Sequence, residues 1–214
     1  MAVENADSIG RLILVRHGES EGNRTRTFTQ NPRVPLTAYG REQARAAGLQ
    51  IAKRYKPTRI VASPYLRAWQ TAEVIAEVLG LGVQAVPDLR EQSFGVFAGQ
   101  PYDALLSDAA YQDGPRWDWR PQGGESLADV YGRVVPVFER ITGESGGRDV
   151  VIVSHGGVML ALCAYVTGSW DGVTLTPNAG IVVVEHRAGR YSAPLTLATE
   201  IGKVQHVTIT GASG

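Results

Sequence analysis

A single cysteine, Cys163, stands in an apolar helical stretch, so no intramolecular disulfide can staple the chain, and it reads as a small buried hydrophobe. No run of about 20 apolar residues occurs, which excludes a membrane-spanning helix of ordinary length. Charge of one sign is missing as well. Twenty-one Lys and Arg balance 21 Asp and Glu, with no long basic stretch, so no nucleic-acid partner and no anionic membrane surface is expected. A glycine-rich phosphate cradle with its lysine is absent. The chain start has no basic segment leading into an apolar one, and a cytoplasmic protein is expected. Aromatic residues make up only 7% of the chain, and histidine occurs four times. Both scarcities are informative because of where the few copies fall.

Two of the four histidines stand in matching contexts. The branched apolar run Leu12-Ile13-Leu14-Val15 leads into Arg16-His17-Gly18-Glu19-Ser20, and Val150-Val151-Ile152-Val153 leads into Ser154-His155-Gly156-Gly157 and then an apolar helical pattern. Each histidine is therefore expected at the carboxyl edge of a strand, where ligands of open α/β sheets collect. Arg16 offers a planar fork of donors suited to phosphoryl oxygens, and a neutral imidazole at His17 can attack phosphorus. Gly156 and its neighbour let backbone approach a ligand closely. In Val61-Ala62-Ser63-Pro64-Tyr65-Leu66-Arg67, Ser63 is expected to cap a helix with Pro64 at its first position. Arg67 then falls near the helix N-terminus, where a cation opposes the helix dipole unless an anion is bound beside it. Asn23 lies in a polar loop from which its amide can orient the histidine or donate to phosphate. Two imidazoles also suit a metal, but neither region shows the short His, Cys and Asp spacing of such sites, so no metal is expected.

With these motifs in this order, the chain resembles the histidine phosphatase superfamily, the phosphoglycerate mutase-like family, over almost its whole length. The resemblance implies that His17 becomes phosphorylated and that Arg16, Arg67 and His155 surround the transferring phosphoryl group, with Asn23 in the same pocket. Leu89-Arg90-Glu91-Gln92-Ser93-Phe94-Gly95 resembles the segment carrying the proton donor, which makes Glu91 the general acid. Gln122-Gly123-Gly124-Glu125-Ser126-Leu127 resembles a further family segment, in which Glu125 either supports the pocket or caps a helix. Thr29 offers a hydroxyl to the substrate, whereas Thr37 is expected to cap the next helix. No cofactor follows from this scheme.

Helical patterns near 38–54, 65–79, 125–141 and 156–166 alternate with short apolar runs at 11–15, 59–62, 150–153 and 180–185. That rhythm predicts a three-layer α/β domain, an open, mostly parallel sheet flanked by helices. Its topology is implied to be phosphoglycerate mutase-like, with one domain over 1–214, a lid-like insertion at about 95–124 and a flexible tail at about 205–214. Phe94, Phe97, Tyr102, Tyr111, Trp117 and Trp119 crowd the insertion and either roof the pocket or anchor the lid. Mutases of the resembled family carry a lysine and paired arginines there. This insertion has no lysine, with only Arg116 and Arg120 as candidate anion contacts, and that favours water as phosphoryl acceptor. Arg24, Arg26 and Arg33 either draw an anionic substrate to the mouth or are simply solvated. The expected activity is phosphomonoester hydrolysis through a phosphohistidine, acting on a small phosphorylated metabolite. A mutase or phosphotransferase and a non-catalytic phosphate-binding module remain as alternatives, and a homodimer is left open.

Overall fold

The expected apolar runs are strands of one sheet. The structure, a computed structural model, describes residues 9–187 and 189–197, so the anticipated tail lies outside the described residues. In chain order the elements are β1 (Gly10–Arg16), α1 (Glu21–Arg24), α2 (Ala38–Arg54), β2 (Arg59–Ala62), α3 (Leu66–Leu79), β3 (Val83–Ala85), α4 (Ala109–Asp113), α5 (Leu127–Ser145), β4 (Val150–Ser154), α6 (Gly156–Thr167), β5 (Ile181–Arg187), β6 (Arg190–Tyr191) and β7 (Leu195–Leu197). Strands run in the order β3-β2-β4-β1-β5-β6, and β7 also pairs with β5. β3, β2, β4 and β1 are parallel neighbours, while β5 runs antiparallel to β1. The result is a mixed, mostly parallel open sheet.

Helices cover both faces because the strands alternate. Leu12 and Leu14 of β1 pack with Val130, Val134 and Phe138 of α5 and with Met159 and Leu162 of α6. Ile13 and Val15 turn the other way, onto Ala47 and Ile51 of α2 and Ala68, Ala72 and Ile75 of α3. Strands apolar on both faces are the signature of a sheet covered on both sides. β3, β6 and β7 lack that signature, being two or three residues long and partly exposed, and periodicity did not reveal them.

Local chemistry fixes the helix starts. The Thr37 hydroxyl accepts the Gly40 N–H at the head of α2, as expected. At α5 the cap is Ser126, in a reciprocal capping box with Asp129, which leaves Glu125 outside the helix. α5 continues past 141 and stops where Gly146 turns left-handed at φ 58°. Ser63 does not cap α3. The helix begins at Leu66 behind Tyr65, without a side-chain cap, and the Ser63 hydroxyl accepts the Tyr65 N–H ahead of the helix at 3.3 Å while lying 2.7 Å from His155 Nε2.

In the 95–124 segment, short 3-10 turns at Gly95–Phe97 and Tyr102–Ser107 precede α4. Its aromatic rings gather on Phe28 from the loop after β1, with Phe28 to Phe94 at 4.5 Å, Phe28 to Tyr102 at 4.9 Å and Phe97 to Trp119 at 5.7 Å between centroids. Phe28, Phe97 and Trp119 are buried in this cluster, so these rings anchor the segment. Trp117 instead stacks on Trp170.

The loop leaving β1 crosses the first turn of α2 backbone to backbone. A Cβ on Gly40 would fall onto the Glu19 carbonyl oxygen, and one on Gly18 onto the Gly40 carbonyl oxygen. Gly40→Ala should therefore lower stability in urea unfolding by about 1–3 kcal/mol. Gly143→Ala, in α5 where a Cβ meets nothing within 4 Å, should raise it by up to about 1 kcal/mol. Equal effects would contradict the close crossing.

Candidate active site

Strand register brings the two histidines together. In the parallel pair, Arg16 of β1 lies opposite Ser154 of β4, so His17 and His155 leave the sheet side by side. Their ring centroids are 5.2 Å apart at 63°. Both are buried, as is Arg67, which projects from the first turn of α3.

Main-chain contacts set the His17 ring. Nδ1 lies 2.7 Å from the Gly18 carbonyl oxygen, and a carbonyl only accepts, so Nδ1 carries the proton. Nε2 is then a lone pair, and it accepts the Arg67 Nε–H at 3.3 Å. The other Arg67 donors reach the Asn31 and Thr29 carbonyls at only 3.5 and 3.4 Å, long contacts that a better acceptor would replace. Arg16 donates from Nη1 to the Thr176 carbonyl at 2.7 Å, and its buried Nε–H has no partner. Nδ1 of His155 is likewise buried and unpartnered, whereas its Nε2 lies 2.7 Å from the Ser63 hydroxyl. Unmatched buried polar groups are costly, and two around one space call for a ligand.

Glu91 closes the ring of groups. Its Oε1 accepts from the Gly157 N–H at 3.1 Å and from the Gln92 N–H at 2.9 Å, while Oε2 sits 3.9 Å from His155 Nδ1. A side chain at Gly157 would press on that carboxylate, with its Cβ 2.9 Å from Oε1. Gly156 lies close to Arg16 and Leu175, where its own Cβ would approach Leu175 Cδ1 to 2.8 Å. Glu91 is aimed by Glu125, which accepts from Arg133 at 2.8 and 3.1 Å, from Arg90 at 3.3 Å and from the Ser93 N–H at 3.0 Å, and Arg133 also donates to the Glu91 carbonyl at 3.2 Å. Burial alone would raise the Glu125 pKa, but the hydrogen bonds from Arg133 and Ser93 outweigh it and hold the carboxyl below its usual range.

Asn23 accepts through Oδ1 from the Ser20 N–H and from Asn178 Nδ2, both at 3.1 Å, and its own Nδ2 donates to the Tyr102 hydroxyl at 3.2 Å. Thr29 turns its hydroxyl onto the Thr27 carbonyl at 3.2 Å. Arg116 lies over the Tyr111 ring, Arg120 pairs with Asp129, Arg24 with Glu21 and Arg26 with Asp103. Sequence reasoning missed Ser63 as a partner of His155, and it missed Asn178, Thr176 and Arg133 altogether. Ser63 alone carried a signal, since it lies in the motif that ends at Arg67.

Burial first, then Arg67 and its neighbours, push the pKa of both histidines well below the ordinary 6.5, so both imidazoles are neutral at pH 7. Burial also lowers the pKa of Arg16 and Arg67. His17, Glu91 and His155 place potential metal-ligand atoms within 4.8 Å of one another, a trio the spacing did not disclose. The two guanidiniums beside them oppose a cation there and favour an anion.

Residues 12–196 match the model of the histidine phosphatase superfamily, branch 1. The chain belongs to that superfamily. Among its relatives, the glucosyl-3-phosphoglycerate phosphatase of Mycolicibacterium vanbaalenii is 38% identical over 172 residues, 75% of each chain. Phosphoglycerate mutase-like protein 4 of Arabidopsis thaliana is 34% identical over 157 residues, 71% of this chain and 68% of the relative. A mycobacterial glucosyl-3-phosphoglycerate phosphatase solved in complex with VO3 superposes with a TM-score of 0.76 at 30% identity, over 85% of this chain and 96% of that one. This histidine phosphatase is accordingly a phosphomonoesterase, a hydrolase. Among the described residues, no helix is long and apolar enough to cross a membrane.

The depressed histidine pKa values make stability pH-dependent in a stated direction. Below about 6.5 the unfolded chain takes up protons on these histidines that the folded chain refuses, so their contribution is whole above that pH and is lost as acid is added. The low Glu125 pKa extends the same trend to lower pH. Urea midpoints should fall steadily from pH 7 to pH 5, and an unchanged or rising midpoint would contradict neutral buried imidazoles.

Proposed function

We propose that this histidine phosphatase hydrolyses phosphomonoesters of a small metabolite without a metal, through a phosphohistidine on His17. The observation that carries the reading is the unprotonated Nε2 of a neutral, buried His17, which accepts one long hydrogen bond from Arg67 at 3.3 Å and lies beside two guanidiniums and two unmatched polar atoms. Nε2 attacks phosphorus as the ester P–O bond breaks, and Glu91 gives its proton to the departing alkoxide. Arg16, Arg67, Asn23 and His155 take the non-bridging oxygens. His155 serves as donor through Nδ1–H when its Nε2 accepts from the Ser63 hydroxyl 2.7 Å away, the tautomer this mechanism requires. Water then attacks the phosphohistidine, Glu91 takes its proton, and cleavage of the P–N bond returns the lone pair to Nε2. Gly156 leaves room for the phosphoryl group, Thr29 backs Arg67 through its carbonyl, and Glu125 holds the loop of Glu91.

Hydrolysis is favoured over mutase chemistry because Arg116 and Arg120 of the 95–124 segment both have intramolecular partners. The segment also holds no lysine, so a lysine-and-arginine clamp that would hold a substrate carboxylate and seal the site is incomplete. Glucosyl-3-phosphoglycerate, in the names of two relatives, is the first ester to try in a substrate panel. Rapid quenching during turnover should trap an acid-labile phosphohistidine and then show release of inorganic phosphate, with both abolished in His17→Ala. Glu91→Gln should slow turnover of alkyl esters by about 10²- to 10⁴-fold and phosphorylation by p-nitrophenyl phosphate far less, since nitrophenolate leaves unaided. Transfer of label to a second hydroxyl would instead establish a mutase, and neither label nor turnover on any ester would establish a binding module.

A further inference from the structure

The turn before β5 touches the catalytic strand at four points. The Thr176 carbonyl accepts from Arg16 Nη1 at 2.7 Å, and the Gly180 carbonyl accepts the Arg16 N–H at 3.1 Å. The His17 carbonyl accepts two hydrogen bonds from this turn, both at 3.1 Å, one from the Ala179 N–H and one from Asn178 Nδ2. Ala179 adopts φ 54°, a left-handed conformation costing a non-glycine residue about 1–2 kcal/mol. It is retained in a buried position where its N–H meets the His17 carbonyl.

These contacts act on the ring through one peptide plane. The His17 carbonyl is held by Asn178 and Ala179, while the Gly18 N–H at the other end of that plane donates to Thr71 Oγ1 at 3.1 Å. The Gly18 carbonyl that accepts His17 Nδ1–H belongs to the next peptide, whose Glu19 N–H is held by Gln43 Oε1 at 2.8 Å, so the fixed His17–Gly18 plane and that anchor together set the acceptor's place. Asn178 also donates to Asn23 Oδ1, and so ties the histidine to the residue that meets Tyr102 of the 95–124 segment.

We propose that Asn178 is a positioning residue for His17, its carboxamide fixing the His17–Gly18 peptide so that the ring presents an unprotonated Nε2 toward phosphorus. The proposal rests on the phosphohistidine reading for its kinetic consequence, and on geometry alone for its effect on the ring. A 1 Å error in attack distance can cost about 100-fold in rate. Asn178→Ala should slow phosphohistidine formation in a single turnover by about 10- to 100-fold, with the affinity for inorganic phosphate reduced far less, because Arg16, Arg67 and His155 remain as phosphate ligands and only Asn23 loses a partner. In Asn178→Asp, which keeps the shape and carries the test if the alanine variant fails to fold, a carboxylate replaces the donor near His17. That charge raises the His17 pKa, so the acid limb of kcat/KM should move to higher pH, which loss of packing alone would not do. Independently of turnover, ¹⁵N spectra of histidine should show His17 leaving its pure Nδ1–H tautomer in Asn178→Ala. Wild-type phosphorylation rate in Asn178→Ala, an unmoved acid limb in Asn178→Asp or an unchanged tautomer would each overturn the proposal. A wild-type chain that never labels His17 would overturn the phosphohistidine reading, and the tautomer measurement would still decide the role of Asn178.

Discussion

Everything at the carboxyl edge of this sheet follows from withdrawing two imidazoles and two guanidiniums from water into one space. Four nitrogen-rich groups cannot all carry charge there at tolerable cost. The guanidiniums remain cationic because their intrinsic basicity is too great to overcome, so burial and repulsion fall on the histidines, which stay neutral. Neutrality leaves His17 with the lone pair that the proposed nucleophile needs, and the remaining positive charge favours an anion. The unmatched Arg16 Nε–H, with its guanidinium charge, suits an anion in that space.

Holding such a cluster requires rigid main chain, and the fold supplies it from several directions. Parallel β1 and β4 bring the two histidines to the same level. Two glycines, Gly18 and Gly40, let the loop behind His17 pass over α2 without a gap. The turn before β5 accommodates a strained alanine where it meets the His17 backbone. Glu125, with Arg133 and Arg90, keeps the Glu91 loop against the N-terminus of α6. The aromatic cluster around Phe28 joins the 95–124 segment to the loop after β1, so the mouth of the site is built on packed rings rather than on free chain.

The legible parts were those with local causes. β1, β2, β4 and the bounds of α2 could be read because branched apolar runs and the Thr37 cap act over a few residues. Arg16, His17 and His155 could be placed because a strand that ends in glycine exposes its last side chains at a known edge. Ser63 was misread as a cap because Ser-Pro before an apolar helix is ordinary cap chemistry, and the competing partner, His155, lies 92 residues away. Asn178 lies 161 residues from His17, in a turn with no periodicity of its own, and only the completed sheet brings them together. The short strands β3, β6 and β7 exist through pairing with longer neighbours rather than through any pattern they carry. Glu91 was found through its resemblance to a family segment, since a loop carboxylate announces nothing by itself.

The central claim is that His17 waits as a neutral imidazole with its proton on Nδ1 and an unprotonated Nε2 that accepts from Arg67. A ¹⁵N spectrum of the histidine rings in the ligand-free wild-type chain at pH 7 tests it most directly. The account predicts one protonated and one unprotonated nitrogen on His17, with the proton on Nδ1 and no second protonation until well below pH 6.5. An imidazolium at neutral pH, or a proton resident on Nε2, would contradict it.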